Sequence, residues 1–267
     1  MVSYDDFVTR NIGFITRQEQ DKLVNSVVAV FGIGGLGGVI SEILCRCGIG
    51  HLKLIDPDII DISNLNRHVF GFRDNVGEKK TVVAENFLKK INPEIIIDKY
   101  ERESKDNIEA ILENVDCAIL AADKIEACLE VSRKAYHLNV PLVEGWAIPT
   151  GNVRVYTNAT PSLEDVYHLP TKGKMIEELS PAEIQQLNLH MLIALTGIEG
   201  VEDFYSEEAK TRVAQGVNPS FAPFVWFTAV LMAIETIKVL LQWGNIALAP
   251  DWSLYNPLNH NVPRQTA

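Results

Sequence analysis

Residues 27–37 read VVAVFGIGGLG, a β-branched run that closes on Gly32-Ile33-Gly34-Gly35-Leu36-Gly37. The apolar run predicts a buried strand. The glycines predict a tight turn into a helix, where backbone N–H groups can approach a phosphate at the positive helix end without a side chain holding it off. Gly32, Gly34 and Gly37 satisfy G-x-G-x-x-G, and Asp56 follows about twenty residues later, where such folds place a ribose-binding acid. Dinucleotide and ATP sites share this glycine pattern, so it does not separate them.

Outward from this turn, short β-branched runs alternate with helical patterns. Strands are predicted near 27–31, 51–55, 95–99, 116–121 and 141–144, and helices near 35–47, 77–91, 105–113 and 124–138. This is the signature of βαβ units, whose right-handed crossovers put every strand C-terminus on one edge. The fold class is α/β: a Rossmann-like, doubly wound, mostly parallel sheet extended by antiparallel strands, with a long C-terminal helix. After Pro141 the pattern changes. Residues 152–157 alternate like a half-exposed strand, 158–182 read as a surface connection, and 183–196 and 203–215 as helices. Pro219 to Trp243 reads as a long apolar helix across the sheet, with Phe221, Phe224, Trp226 and Phe227 as dimer or core packing, core being favoured, and Asn218 as its cap. One domain, 1–267, is expected, made of a helical arm (1–25), a nucleotide-binding half (26–145) and a substrate-binding and dimerisation half (146–267).

The net charge of −11 argues against a role on nucleic acid, whose backbone is bound by clustered Lys and Arg. The charge-free stretch from Phe221 to Ile234 is shorter than a bilayer span and is followed by Glu235 and Lys238, so no membrane is expected. The N-terminus is too acidic for a signal peptide, and a cytoplasmic protein is expected. Cys45, Cys47, Cys117 and Cys128 form no C-x-x-C pair, so neither structural zinc nor a disulfide framework is expected. They read as core filler.

The loop from Asp56 to Arg67, DPDIIDISNLNR, gathers three carboxylates, two amides and an arginine behind the second strand. Lys80 opens the next helix, and Asp123 ends the run Ala118 to Asp123 of the fourth strand. A hydride cofactor needs one acid on a ribose. A triphosphate needs cations on its phosphates and a carboxylate that helps hold Mg²⁺, and Arg67, Lys80 and Asp123 supply these. Asp61 reads as a turn-forming acid, His68 as structural, and Arg73 and Lys79 as surface decoration.

At this point the order of motifs becomes specific. GxGGLG (32–37), D-x-D (56–58), S-N-L-x-R (63–67), V-G-x-x-K (76–80), a strand ending in Asp123, V-P-L-V-x-G (140–145) and A-x-E-x-I-K (233–238) occur in sequence. The chain resembles the ThiF/MoeB/HesA family, bacterial relatives of ubiquitin-activating enzymes, from residue 8 to about 242. The resemblance implies a homodimeric adenylyltransferase that uses Mg-ATP to activate the carboxylate of a small protein, with pyrophosphate as co-product. It implies a nucleotide site of Gly32, Gly34, Gly35, Gly37, Asp56 and Asp58, with Asp56 on the ribose, Asn64, Arg67 and Lys80 on phosphates, and Asp123 on Mg²⁺. Arg10, in Thr9-Arg10-Asn11-Ile12, is implied to enter the partner subunit's site. Residues 129–267 hold no cysteine, which departs from the zinc-binding and thioester-forming relatives. Trp146 departs too, standing where small residues are common. These departures admit the peptide-antibiotic branch, which activates a side-chain or terminal carboxylate of a ribosomal peptide for cyclisation. An NAD-dependent oxidoreductase is the other alternative, resting on the glycines and Asp56 alone.

Overall fold

The computed structural model describes residues 3–198, 201, 204–214, 219–257 and 260. Two short helices, α1 (Tyr4–Val8) and α2 (Arg17–Val24), each start at a capping box, Ser3 with Asp6 and Thr16 with Glu19. There a hydroxyl and a carboxylate satisfy N–H groups that the first helical turn leaves orphaned. The nucleotide-binding half then alternates: β1 (Val27–Phe31), α3 (Gly35–Arg46), β2 (His51–Ile55), α4 (Lys80–Ile91), β3 (Ile96–Tyr100), α5 (Ile108–Leu112), β4 (Cys117–Leu120), α6 (Ile125–His137) and β5 (Leu142–Glu144). It continues with β6 (Gly151–Tyr156), α7 (Leu163–Val166), α8 (Pro181–Thr196), α9 (Glu207–Ala214), α10 (Ala222–Leu241) and β7 (Ser253–Tyr255).

The strand order is β3-β2-β1-β4-β5-β6-β7. The first five strands are parallel, while β6 is antiparallel to β5 and β7 to β6. From β1 the chain winds outward to β3, then returns to β4 on the other side of β1. Neighbouring loops therefore diverge between β1 and β4, which opens the crevice where doubly wound sheets bind ligands.

Alternate residues of β1 feed two cores. Val28 and Val30 join α3, α4 and α10 on one face, while Ala29 and Phe31 join α5, α6 and α8 on the other. Full burial of a side chain such as Phe31 or Leu52 contributes about 2 kcal/mol over leaving it in water. Helix α10 is long and apolar enough, by length and composition alone, to cross a membrane. Its neighbours here are α3 and β6, and its Glu235 is buried, accepting from Lys238 Nζ at 2.7 Å and Ala247 N–H at 2.6 Å. It is a core helix of the sandwich.

Several expectations need correction. The fourth strand stops at Leu120, so Asp123 stands in the loop before α6 rather than at the strand end. Strand β6 is buried along its whole length, not half-exposed. Its alternation is real, but the segment after it covers the polar face. That segment is no surface loop: it forms α7 and a 3₁₀ turn at Ile176–Glu178, and it buries Leu163, Tyr167, Leu169 and Thr171. Phe221 and Trp226 are exposed rather than core. Strand β7 had no expected counterpart, and Asn218, the expected cap, lies outside the described residues.

Candidate active site

The glycine turn closes as the sequence requires. Gly32 has φ +92°, and a Cβ there would lie 2.6 Å from the Ala121 carbonyl oxygen, so the turn is pressed against the loop that carries Asp123. A Cβ at Gly37 would lie 1.8 Å from the Gly32 carbonyl oxygen. At Gly35 it would meet Val225 of α10 at 2.9 Å and the Arg67 stem at 3.1 Å. These three glycines are explained by protein packing. Gly34 is not: a Cβ there meets nothing within 4 Å, and Gly34 is the N-cap of α3. It faces open space at a helix N-terminus, where four backbone N–H groups lack partners and the dipole favours an anion.

Asp56 follows β2 and is buried. One oxygen accepts from Ile33 N–H at 2.6 Å, the other from Asp58 N–H at 2.8 Å. The acid thus ties the glycine turn to the neighbouring strand end. Two of a carboxylate's roughly four acceptor sites remain for a ribose. Burial raises its pKa, opposed chiefly by the Lys80 ammonium. Lys80, the first residue of α4, is buried with Nζ 2.8 Å from Asp58 Oδ2 and 3.5 Å from Asp56 Oδ1. Asp58, expected to touch nucleotide, here serves as the counterion of Lys80.

Asn64 ends a 3₁₀ turn, Ile62–Asn64, and its Oδ1 accepts from Asp61 N–H at 3.1 Å. Asp61 caps the same turn through Ser63 N–H at 2.8 Å, as its reading as a turn acid expects. Arg67 lies along Gly35 and donates from Nη1 to Ser63 O and Asn66 Oδ1, both at 2.9 Å. Two further residues fix this loop. Trp226 Nε1 donates to Arg67 O at 2.8 Å, and Asn66 Nδ2 donates to Ser220 O at 2.8 Å. Both fasten the arginine loop to the start of α10. No local pattern in the sequence signals this pairing, because the partners lie more than 150 residues apart.

Asp123 is exposed and, among the described residues, carries no hydrogen bond or ion pair. It stands beside the turn because Gly32 packs on Ala121 and Ala122. A single free carboxylate suits Mg²⁺, which binds through one or two protein carboxylates and shares its other positions among water and nucleotide phosphates. His68 is not a base. Its Nδ1 accepts Phe70 N–H at 3.2 Å and its Nε2 faces Ile33 O at 2.7 Å, which makes it the Nε2–H tautomer, and burial lowers its pKa to about 4. Burial likewise pushes the Cys45 thiol up to about 12 and raises Cys47, Cys117 and Cys128. None of the four is a ready thiolate nucleophile.

The structure does not bring Arg10 to this site. It is exposed in a 3₁₀ turn, Thr9–Asn11, and that arm docks on the far end of α3. Tyr4 hydroxyl donates to Gly48 O at 2.7 Å, while Asn11 Nδ2 and Gln20 Nε2 donate to Cys47 O at 3.3 and 3.0 Å. The 12 residues of α3 separate the arm from the glycine turn, about 18 Å at 1.5 Å per residue.

Comparison with known proteins places nearly the whole chain in a family. A family model described as the ThiF family matches residues 8–267. The molybdopterin-synthase adenylyltransferase of Haemophilus influenzae is 32% identical over 229 residues, 84% of this chain and 79% of that protein. The solved structure of E. coli MccB with ATP is similar at TM-score 0.64 and 26% identity, covering 90% of this chain and 64% of that one. E. coli MccB with MccA-N7isoASN gives TM-score 0.61 at 26% identity, covering 85% and 60%. The chain therefore spans less than two thirds of the MccB chain. With the open glycine turn, the buried lysine and the free aspartate on one sheet edge, and a family model spanning nearly all of its length, the chain belongs to the ThiF family.

Proposed function

We propose that the chain transfers AMP from ATP to a carboxylate of a small protein or ribosomal peptide, releasing pyrophosphate. The observation that carries this is the convergence of Gly34, Arg67, Lys80 and Asp123 at the ends of β1, β2 and β4. Attack of the carboxylate on the α-phosphorus builds negative charge on the phosphoryl oxygens and on the departing pyrophosphate. Arg67 and Lys80 would stabilise that charge, and Asp123 would hold Mg²⁺, which neutralises it further. A carboxylate is already a nucleophile at neutral pH, so no base is needed, consistent with a neutral His68 locked at both nitrogens.

A ribosomal peptide is the more specific reading of the substrate. The similarity to MccB solved with an MccA species favours it, as do four buried or half-buried thiols unfit for thioester chemistry. A homodimer is supported by the apolar side chains Trp226, Val230 and Ile234, spaced by four on α10 and more than a third exposed. Arg10, out of reach of its own site, would complete the partner's. Free cysteines support a reducing, cytoplasmic setting, and the acidic balance gives no support to nucleic acid. The test is pyrophosphate release with a panel of carrier proteins and peptides, followed by the mass of the product. An acyl-adenylate or its cyclised descendant is expected; tight NAD binding without ATP–pyrophosphate exchange would restore the oxidoreductase reading.

A further inference from the structure

Leu120 of β4 and Glu144 of β5 are register partners on parallel strands, about 4.8 Å apart. Asp123 lies three residues past the first and Trp146 two past the second, so both leave the sheet side by side on the ligand edge. Trp146 is half-buried and fastened at three points. Its N–H donates to Asn152 Oδ1 at 2.7 Å, and its carbonyl accepts from Asn152 Nδ2 at 2.8 Å. Its indole Nε1–H donates to the Tyr167 hydroxyl at 2.9 Å. Asn152 is fully buried and also donates to Thr150 O at 2.8 Å, so one side chain grips both ends of the 146–150 loop.

Tyr167 is itself immobilised. Its hydroxyl accepts from Arg154 Nη2 at 3.1 Å, and Arg154 is an almost wholly buried cation, 3.1 Å from Glu144 Oε2 and 3.4 Å from the centre of the Trp252 ring. Tyr156 hydroxyl donates to the same Glu144 oxygen at 2.9 Å. A buried ion pair gives little net stability over apolar packing, but this one fixes the hydroxyl that holds the indole. An indole pinned by its backbone and its tip cannot swing aside for a substrate.

We propose that Trp146 is the specificity-determining wall of the acid-binding side of the site, with Asn152 and Tyr167 as its positioning residues. The wall restricts the substrate to an acid that is slender next to its reacting carboxyl. The inference rests on the adenylation reading above. Hydrophobic pockets discriminate by about 10–200-fold per small group, which sets the size of the effect.

The test is ATP–pyrophosphate exchange by the full chain with heptapeptides ending in Gly, Ala or Phe. It compares wild type, Trp146→Gly, Trp146→Phe and Tyr167→Phe. Wild type should prefer the Gly-ended peptide over the Phe-ended one by about 100-fold. Trp146→Gly should narrow that ratio at least about ten-fold with the KM for ATP within about two-fold, and Trp146→Phe, which keeps a ring but loses the tip's hydrogen bond to Tyr167, should narrow it only several-fold. Tyr167→Phe, which removes the hydroxyl that accepts from both the indole and Arg154, should narrow the ratio several-fold with the KM for ATP within about two-fold, and carries the test if the glycine variant does not fold. Exchange that persists with an unchanged ratio overturns the wall and leaves adenylation standing. A narrowed ratio with an equal rise in the KM for ATP also overturns it, as general loosening. No exchange by wild type with any of the three peptides, while ATP still binds, overturns the wall, and exchange with the panel of carrier proteins and peptides then decides the adenylation reading separately.

Discussion

A methyl group added at Gly37 would sit 1.8 Å from the Gly32 carbonyl oxygen, whereas one at Gly34 would meet no atom within 4 Å. The two substitutions therefore separate folding from binding. Gly37→Ala is expected to lose about 3 kcal/mol or more, lowering Tm by roughly 10 °C. Gly34→Ala should keep Tm within about 2 °C and raise the KM for ATP about ten-fold, since the lost approach costs about 1.4 kcal/mol. Scanning fluorimetry and pyrophosphate exchange read the two effects. Asp123→Ala removes an exposed carboxylate that bonds to nothing among the described residues, so Tm should not move, while exchange falls about 10²–10³-fold. Wild-type exchange by that variant would remove Asp123 from the chemistry.

At the scale of elements, α3 and α10 do the connecting. Helix α10 packs Val225 over Gly35, donates an indole N–H to the Arg67 carbonyl, and leaves Val230 and Ile234 facing outward. Val230→Asp with Ile234→Asp should yield a folded monomer in sedimentation, because both side chains are exposed in the subunit, and its Tm should no longer rise with protein concentration as a dimer's does. In that monomer exchange should fall to the level of Arg10→Ala. Mixing Arg10→Ala with Asp123→Ala protein should restore about a quarter of wild-type activity, the share expected of one intact site in each mixed dimer formed by random pairing. These elements also show where sequence patterns stop being informative. A helix apolar on every side, as α10 is, gives no period that says which face is covered, so Phe221 and Trp226 were expected inside. In β6 the alternation of Asn152, Arg154 and Tyr156 with valines reads as a wet face. The structure covers that face with residues 157–198, a long-range event that strand periodicity does not encode. The glycine turn and Lys80 were legible because their requirements are local: a left-handed φ, a close backbone approach, a helix start.

For the molecule as a whole, the strand order and the site edge follow from alternation and handedness, which is why the α/β sheet was readable from five apolar runs. Its stability carries a pH signature. His68 has a pKa of about 4 in the fold, below the 6.5 of an unfolded chain. Between those values the unfolded state binds a proton that the native state refuses. The contribution is thus complete above pH 6.5 and is lost as pH falls toward 4, by at most about 3 kcal/mol. Urea unfolding across that range should show His68→Asn less stable at neutral pH but with a shallower acid decline; parallel curves would remove His68 as the cause.

The Lys80 ammonium, bound by Asp58 and close to Asp56, has a further consequence. At the proposed site nucleotide would not arrive at a vacant cation; it would have to win an ion exchange in which Asp58 is released to water. Small inorganic anions lack the second anchoring point to win it, so inorganic phosphate and sulfate should inhibit poorly at millimolar levels. Asp58→Asn lowers that barrier. In equilibrium dialysis it should bind ATP several-fold more tightly, and it should lose its indifference to phosphate, which makes the acid a gatekeeper of what the lysine is allowed to hold.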